Sequence, residues 1–291
     1  LYPALLQSKG IYTTKPGQFS SISGNLDDIS SIEYIDQNPI GQSSRSNPVT
    51  YIKAYDDIRN LFAKQSASKQ FSFKPKHFSF NVDGGRCDDC KGEGTIKVEM
   101  QFMADINLIC ETCKGKRFKK NVLQVTYQNK NIDDILKMTI DEGYNFFNEK
   151  GQNKIANKLK ALMDVGMGYV NLGQSSSTLS GGEAQRIKLA SFILKGQSAA
   201  KTLFIFDEPT TGLHFHDIKK LLNSFNHLIS YGHSIIVVEH NIELIKSSDY
   251  IVDLGPYGGI KGGELIFEGS PEKLVKNKKS LLTKFLKTKL G

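Results

Sequence analysis

The sequence predicts an α/β fold: a parallel sheet covered by helices, interrupted by a mostly helical insert that carries a cysteine-pair hairpin. Three observations lead there. From Thr202 to Leu254, short apolar runs alternate with amphipathic stretches, a βαβαβ rhythm that asks for a parallel sheet with both faces covered. The cysteines fall as two pairs, Cys87 with Cys90 and Cys110 with Cys113, spaced C-x2-C-x19-C-x2-C. A turn with two glycines, Ser180-Gly181-Gly182, stands directly before apolar residues at helical spacing.

The elements follow in chain order. Leu1-Tyr2-Pro3-Ala4-Leu5-Leu6 opens abruptly, as if from the middle of a longer chain. Ile32 to Asp36 alternates like a strand, and a turn-rich stretch follows from Gln37 to Pro48. Asn47-Pro48 starts a helix that carries Tyr51, Tyr55, Ile58, Leu61 and Phe62 on one face. Residues 71–84 are aromatic and basic. Thr95 to Met100 and Asn107 to Ile109 read as the two arms of a hairpin between the cysteine pairs. Asn131 to Phe147 and Lys154 to Met163 read as helices. Thr202–Asp207, Ser234–Glu239 and Tyr250–Leu254 are the strands of the closing α/β region. Between them lie an amphipathic helix through Ile218, Leu221, Leu222, Phe225 and Leu228 and a short helix at Ile242–Lys246. The expected division is therefore residues 1–44 and 196–291 as one α/β domain, with 45–195 inserted and a cysteine module at 84–126.

Composition bounds the function. The 291 residues suffice for a full core, and 39% are hydrophobic. No apolar run is long enough to span a bilayer, so no membrane role is expected. The net charge of +8 suits a polyanionic partner. With no secretory signal at the start, paired thiols in a reducing cytoplasm are expected, rather than disulfides.

Five stretches carry chemistry. The cysteine spacing fits one closed, structural zinc site with Cys87, Cys90, Cys110 and Cys113 as ligands, because two intervening residues let both sulfurs of a pair face one ion. Asp207 and Glu208 end a strand of apolar residues, where open α/β sheets bind ligands. The first carboxylate can hold Mg²⁺ and the second can polarise a water; the plain alternative is a solvated strand end. Ser180 and Glu183 form a capping box, and Gly181 and Gly182 leave room for a phosphate over free N–H groups; a capped helix with a glycine hinge would look the same. His240, at the end of another apolar strand, can reach a terminal phosphate or be structural. Within the cysteine module, which is barely basic overall, Lys114, Lys116, Arg117, Lys119 and Lys120 concentrate positive charge. This run is the candidate phosphate-backbone contact, or equally a solvated surface.

Taken together, these stretches resemble a known family. Ser180 to Ala190, Asp207-Glu208-Pro209-Thr210-Thr211-Gly212-Leu213-His214 and Glu239-His240-Asn241 look like the signature motif, the Walker B motif with its D-loop, and the switch histidine of an ABC-type ATPase. Ile35-Asp36-Gln37-Asn38-Pro39-Ile40-Gly41 resembles the Q-loop. Joined to the cysteine pairs and to Phe80-Asn81-Val82-Asp83-Gly84-Gly85-Arg86, they resemble the second ATPase module of the UvrA family, the A component of the ABC excinuclease, nearly end to end. The resemblance implies ATP and Mg²⁺ as ligands, with Gln37, Asp207, Glu208 and His240 at the module's own nucleotide. Ser180, Gly181, Gly182 and Glu183 would face the nucleotide of another module. It further implies double-stranded DNA, the protein's own N-terminal ATPase module, a second copy of the protein and the B component of the excinuclease as partners, and damage recognition in nucleotide excision repair as the function. Residues 1–44 and 196–291 would be the two parts of the ATP-binding domain, and 45–195 the signature domain. No G-x-x-x-x-G-K-[ST] occurs in the chain; the family's P-loop lies just before the position where Leu1 aligns, so this chain alone is expected to be inactive as an ATPase. Other readings are a related protein that protects DNA against drugs, a zinc-stapled DNA-binding module without activity, the ATPase of a transporter, and the zinc repeats of J-domain co-chaperones.

Overall fold

A computed structural model describes residues 1–41, 45–100, 106–196, 200–259 and 262–290. The chain divides into two compact units: residues 1–34, 201–229 and 233–291 form one, and 35–200 with 230–232 the other.

The first unit is built on a sheet of order β1 (Ser31–Ile35), β6 (Thr202–Asp207), β7 (Ser234–Val238), counting strands along the chain. β6 and β7 run parallel, with Leu203 opposite Ser234 and Asp207 opposite Val238. Thr202 to Phe206 are all buried, which is why β6 reads as an unbroken apolar run. Side chains alternate between faces, so one strand supplies two cores. Leu203 and Ile205 pack with Leu5, Leu6 and Ile32. Phe204 stacks edge-on against His233, and Phe206 lies 4.7 Å from Phe225 of the helix Phe215–Ser230. β8 (Ile251–Gly255) and β9 (Glu264–Gly269) form an antiparallel pair. The βαβαβ rhythm places Tyr250–Leu254 in the parallel sheet; among the described residues β8 pairs with β9 instead. Too few residues separate Gly255 from Glu264 for a parallel crossover, whereas a hairpin allows so short a link.

The second unit is mostly helical. Asn47 caps the helix Pro48–Tyr51, accepting the Thr50 N–H at 2.9 Å. The single helix expected here is two, because Lys53 turns left-handed (φ 57°) before Ala54–Ala63 begins. Likewise Asn131 to Phe147 is two helices, Ile132–Lys137 and Ile140–Glu149. Thr139 accepts the Glu142 N–H while Glu142 accepts that of Thr139, a capping box that restarts the helix. Asn153–Asp164 follows as expected and packs on Ile140–Glu149. Ahead of these helices sits a tight hairpin that the sequence pattern does not announce, β4 (Thr126–Tyr127) and β5 (Lys130–Asn131), whose Gln128 and Asn129 both take positive φ.

Within this unit the cysteine segment carries a two-stranded ribbon, β2 (Thr95–Val98) and β3 (Ile106–Ile109), paired from Thr95–Ile109 to Val98–Ile106. The expected hairpin spans residues 101–105, which lie outside the described residues. An aromatic chain joins the segment to the helices: Tyr55 packs on Phe80, Phe80 on Phe118, and the Tyr55 hydroxyl donates to the Phe78 carbonyl at 2.6 Å. No helix among the described residues is long and apolar enough to cross a membrane.

Candidate functional site: four thiols, a capped glycine turn and a carboxylate pair

Cys87, Cys90, Cys110 and Cys113 are all buried, and their sulfurs lie within 4.8 Å of one another. Cys87 Sγ is 3.9 Å from Cys110 Sγ, and Cys90 Sγ is 3.6 Å from Cys113 Sγ. A disulfide would bring sulfurs to about 2.05 Å, and all four thiols are free. Sulfurs at about 2.3 Å from a tetrahedral ion would stand roughly 3.8 Å apart. The donor set and spacing therefore fit one metal ion.

The two knuckles repeat each other. The Glu93 N–H donates to Cys90 O at 2.9 Å, and the Lys116 N–H to Cys113 O at 3.0 Å. The first cysteine of each pair donates its N–H across to the other knuckle: Cys87 to Arg117 O at 2.8 Å, Cys110 to Gly94 O at 3.0 Å. Left-handed residues recur in step, at Lys91, Gly92 and Gly94 in one and Lys114, Gly115 and Arg117 in the other. At Gly92 a side chain is also excluded by space, since a Cβ there would lie 2.2 Å from Phe80 O. Burial pushes Cys87 up, and pushes Cys113 up to about 12 with help from its sulfur neighbours. The Cys113 N–H, acting against burial, draws Cys110 down to about 7. A central cation would favour the thiolate at all four.

The basic run does not act as one surface. Lys114, Lys116 and Lys120 are exposed and line a shallow recess with Asp88, Asp89 and Glu111. Lys119 pairs with Asp88 at 2.8 Å. Arg117 turns inward: its Nη1 donates to Gly173 O at 3.0 Å, and its guanidinium lies 5.5 Å from the Phe80 ring centre.

Gly173 leads to the glycine turn. Ser180 caps the helix Gly181–Lys195, and its N–H donates to Glu183 Oε2 at 2.7 Å, completing the expected capping box. Sequence reasoning missed what braces Glu183: the Tyr169 hydroxyl donates to Oε1. Burial raises the Glu183 pKa, but the bonds from Tyr169 and Ser180 and the charge of Arg186 outweigh it, so the carboxyl is held below its usual range. Burial and the Glu183 charge push Tyr169 up to about 12. The same helix grips the Gln37 segment. Gln185 Nε2 donates to Ile35 O at 2.8 Å, and Lys188 Nζ donates to Asp36 Oδ1 at 2.6 Å. Gly181 sits so close to Gln37 that an added Cβ would be 2.8 Å from its Cβ. Gln37 thus shares a unit with Ser180, Gly181, Gly182 and Glu183.

In the sheet unit, Asp207 and Glu208 emerge at the carboxyl end of β6. Tyr34 of β1 donates its hydroxyl to Asp207 Oδ2 at 2.9 Å. Glu208 adopts φ 46°, and its N–H donates to Val238 O at 2.9 Å, which fixes the turn out of the strand. His240 brings Nδ1 to 3.8 Å from Glu208 Oε1, so these three candidate residues form one cluster. Tyr34 was visible only as one position of an alternating strand; its partner requires knowing the strand order.

A family described as ABC transporter matches residues 88–211. UvrABC system protein A of Clostridium perfringens is 52% identical over 272 residues, covering 94% of this chain and 28% of that protein. The Clostridium tetani protein of the same name is 51% identical over 290 residues, all of this chain and 30% of that one. The crystal structure of UvrA2 from Deinococcus radiodurans matches with a TM-score of 0.85 at 39% identity, over 92% of this chain and 33% of that one. The chain thus spans under a third of the curated relatives it matches.

One prediction concerns Glu183. Because its folded pKa is depressed, its contribution to the cap is present at neutral pH and is lost as pH falls through the folded value. Side-chain NMR titration should give a midpoint below that of a free glutamate, and Tyr169→Phe should raise it. A midpoint at or above the ordinary value would contradict the brace. The likeness at about half of all positions, along nearly the whole length and across both the glycine turn and the carboxylate pair, shows that the chain belongs to the UvrABC system protein A family, with the fold of an ABC-type ATPase.

Proposed function

We propose that this chain is the part of a nucleotide-excision-repair damage-recognition protein that couples ATP binding and hydrolysis to its grip on double-stranded DNA. The observation that carries the reading is the cluster of Asp207, Glu208 and His240 at one strand end, in a chain about half identical to UvrABC system protein A. The first unit would be the ATP-binding part and the second the signature domain. Asp207, oriented by Tyr34, would hold Mg²⁺ and so bring charge neutralisation to the phosphates. Glu208 would orient and polarise a water, and His240 would contact the terminal phosphate. By the family resemblance, Gln37 would also serve ATP. Ser180, Gly181, Gly182 and Glu183 would face the nucleotide of the protein's other ATPase module, with the N–H groups of Gly181 and Gly182 toward its phosphates and the Ser180–Glu183 capping box holding the turn. The family resemblance adds a homodimer and the B component of the excinuclease as partners. One structural Zn²⁺ would be held by Cys87, Cys90, Cys110 and Cys113; four thiolates close its shell, so its part is folding, not catalysis. Free thiols suit a reducing cytoplasm.

The 52% identity to a protein named UvrABC system protein A supports the repair reading; a related protein that protects DNA against drugs is the alternative. The reading as a DNA-binding module without activity of its own draws on one fact: the 291 residues hold no G-x-x-x-x-G-K-[ST].

Outcomes are expected for both ATP and DNA. The 291-residue chain alone hydrolyses ATP negligibly, since nothing in it matches the usual cradle for β- and γ-phosphates. In protein that includes such a loop, Glu208→Gln binds ATP but turns it over far more slowly. Turnover by the 291-residue chain that Glu208→Gln abolishes would mean a second phosphate site. For DNA, binding should be sequence-independent, and replacing Lys114, Lys116 and Lys120 with Ala should make the log–log salt slope shallower by roughly 0.9 for each phosphate no longer neutralised. An unchanged slope would place the DNA away from this recess.

A further inference from the structure

We propose that Glu239 is a positioning residue that ties the loop after Glu208 to the switch histidine, so that the two move as one unit. The inference rests on the ATP-site reading above and assigns a role to a residue outside that site.

Strand register puts the two segments side by side. Asp207 lies opposite Val238, so Glu208 and Glu239 leave the sheet together. The left-handed turn at Glu208 carries the chain to Thr210, which is buried. There one carboxylate takes four donors. Glu239 Oε1 accepts the Thr210 N–H at 2.8 Å and the Thr210 hydroxyl. Oε2 accepts the His240 N–H at 2.8 Å and the Asn241 N–H at 2.9 Å. Asn241 passes the restraint on, since its Oδ1 accepts the Glu243 N–H at 3.0 Å and caps the helix Ile242–Ile245.

The chemistry demands a carboxylate. All four partners are donors, so both oxygens must accept. An amide of the same shape could serve one pair, but it would turn its own N–H₂ toward the other. The consequence is mechanical. His240 cannot shift toward a terminal phosphate without pulling on the group that holds Thr210, and Thr210 stands two residues beyond the carboxylate meant to polarise water. Glu239 touches no nucleotide in this scheme; it sets where Glu208 and His240 stand.

The test uses Glu239→Gln in the full-length protein that contains this segment. The kcat for ATP should fall by about 10- to 100-fold, the scale on which small misplacements act. The Kd for ATP should change less than about threefold, because no group touching the nucleotide is altered. Thr210→Val should fall less far, and the double variant should be no slower than Glu239→Gln alone. In the 291-residue chain, Glu239→Gln should speed amide exchange at Thr210, His240 and Asn241 together and leave the amides of β6 unchanged. That separates loss of position from loss of fold. An unchanged kcat, a Kd that rises in step with the fall in kcat, additive effects in the double variant, or unaltered exchange at these amides would each overturn the proposal. Glu208→Gln measured in parallel tells two failures apart. If it turns over at the wild-type rate, the ATP-site reading falls and takes this inference with it. If it is slow while Glu239→Gln is not, the reading stands and the role of Glu239 is refuted.

Discussion

Four buried sulfurs within 4.8 Å of one another impose the constraint on which the helical unit depends. As thiolates they repel, and as thiols they offer little to hold two loops in register. The loops nonetheless mirror each other bond for bond, each cysteine pair donating into the opposite knuckle. A cation at the centre would convert mutual repulsion into a crosslink between residues far apart in sequence. The segment is otherwise thin: among the described residues its ribbon exposes Ile96, Val98, Ile106 and Leu108. What it does have is a set of anchors to the rest of the unit, the Phe80–Phe118 contact and the Arg117 bond to Gly173.

That last bond gives the module a route to the glycine turn. Arg117 occupies the left-handed position that Gly94 fills in the first knuckle, and it bonds the carbonyl of a residue that leads into the signature segment. From there the helix Gly181–Lys195 is held at its start by Ser180 and Glu183, and along its flank by Gln185 and Lys188 on Ile35 and Asp36. The Lys188–Asp36 pair is part-buried, and losing either partner would strand a charge. A chain of hydrogen bonds and packed rings thus runs from the cysteine knuckles to the residues beside Gln37, all within one unit.

Much of this was legible because the relevant signals are local. The unbroken apolar run Leu203–Phe206 marks a buried parallel strand, the cysteine spacing marks four sulfurs brought together, and Ser180 with Glu183 marks a helix start. What was missed depends on which segments meet. Lys53 and Thr139 split helices whose apolar spacing continues across the break, because a left-handed residue or a capping box leaves that periodicity intact. Tyr34, Tyr169 and Glu239 are ordinary residues until the strand order and the turns bring Asp207, Glu183 and Thr210 to them. Arg117 reads as part of a basic run, and only its φ and its carbonyl partner remove it from the surface set. The β8–β9 pair fell to the same limit: an apolar strand does not announce its neighbour.

The central claim is that a single ion crosslinks the two knuckles and thereby orders the segment around them. The most direct measurement is metal content per chain after purification under reducing conditions, followed by amide exchange before and after chelation. The account predicts one zinc per chain. On its removal, protection should be lost across residues 84–126 and at Gly173, while β6 and β7 stay protected. No zinc, two zinc ions, or an insert whose exchange is indifferent to the chelator would contradict it.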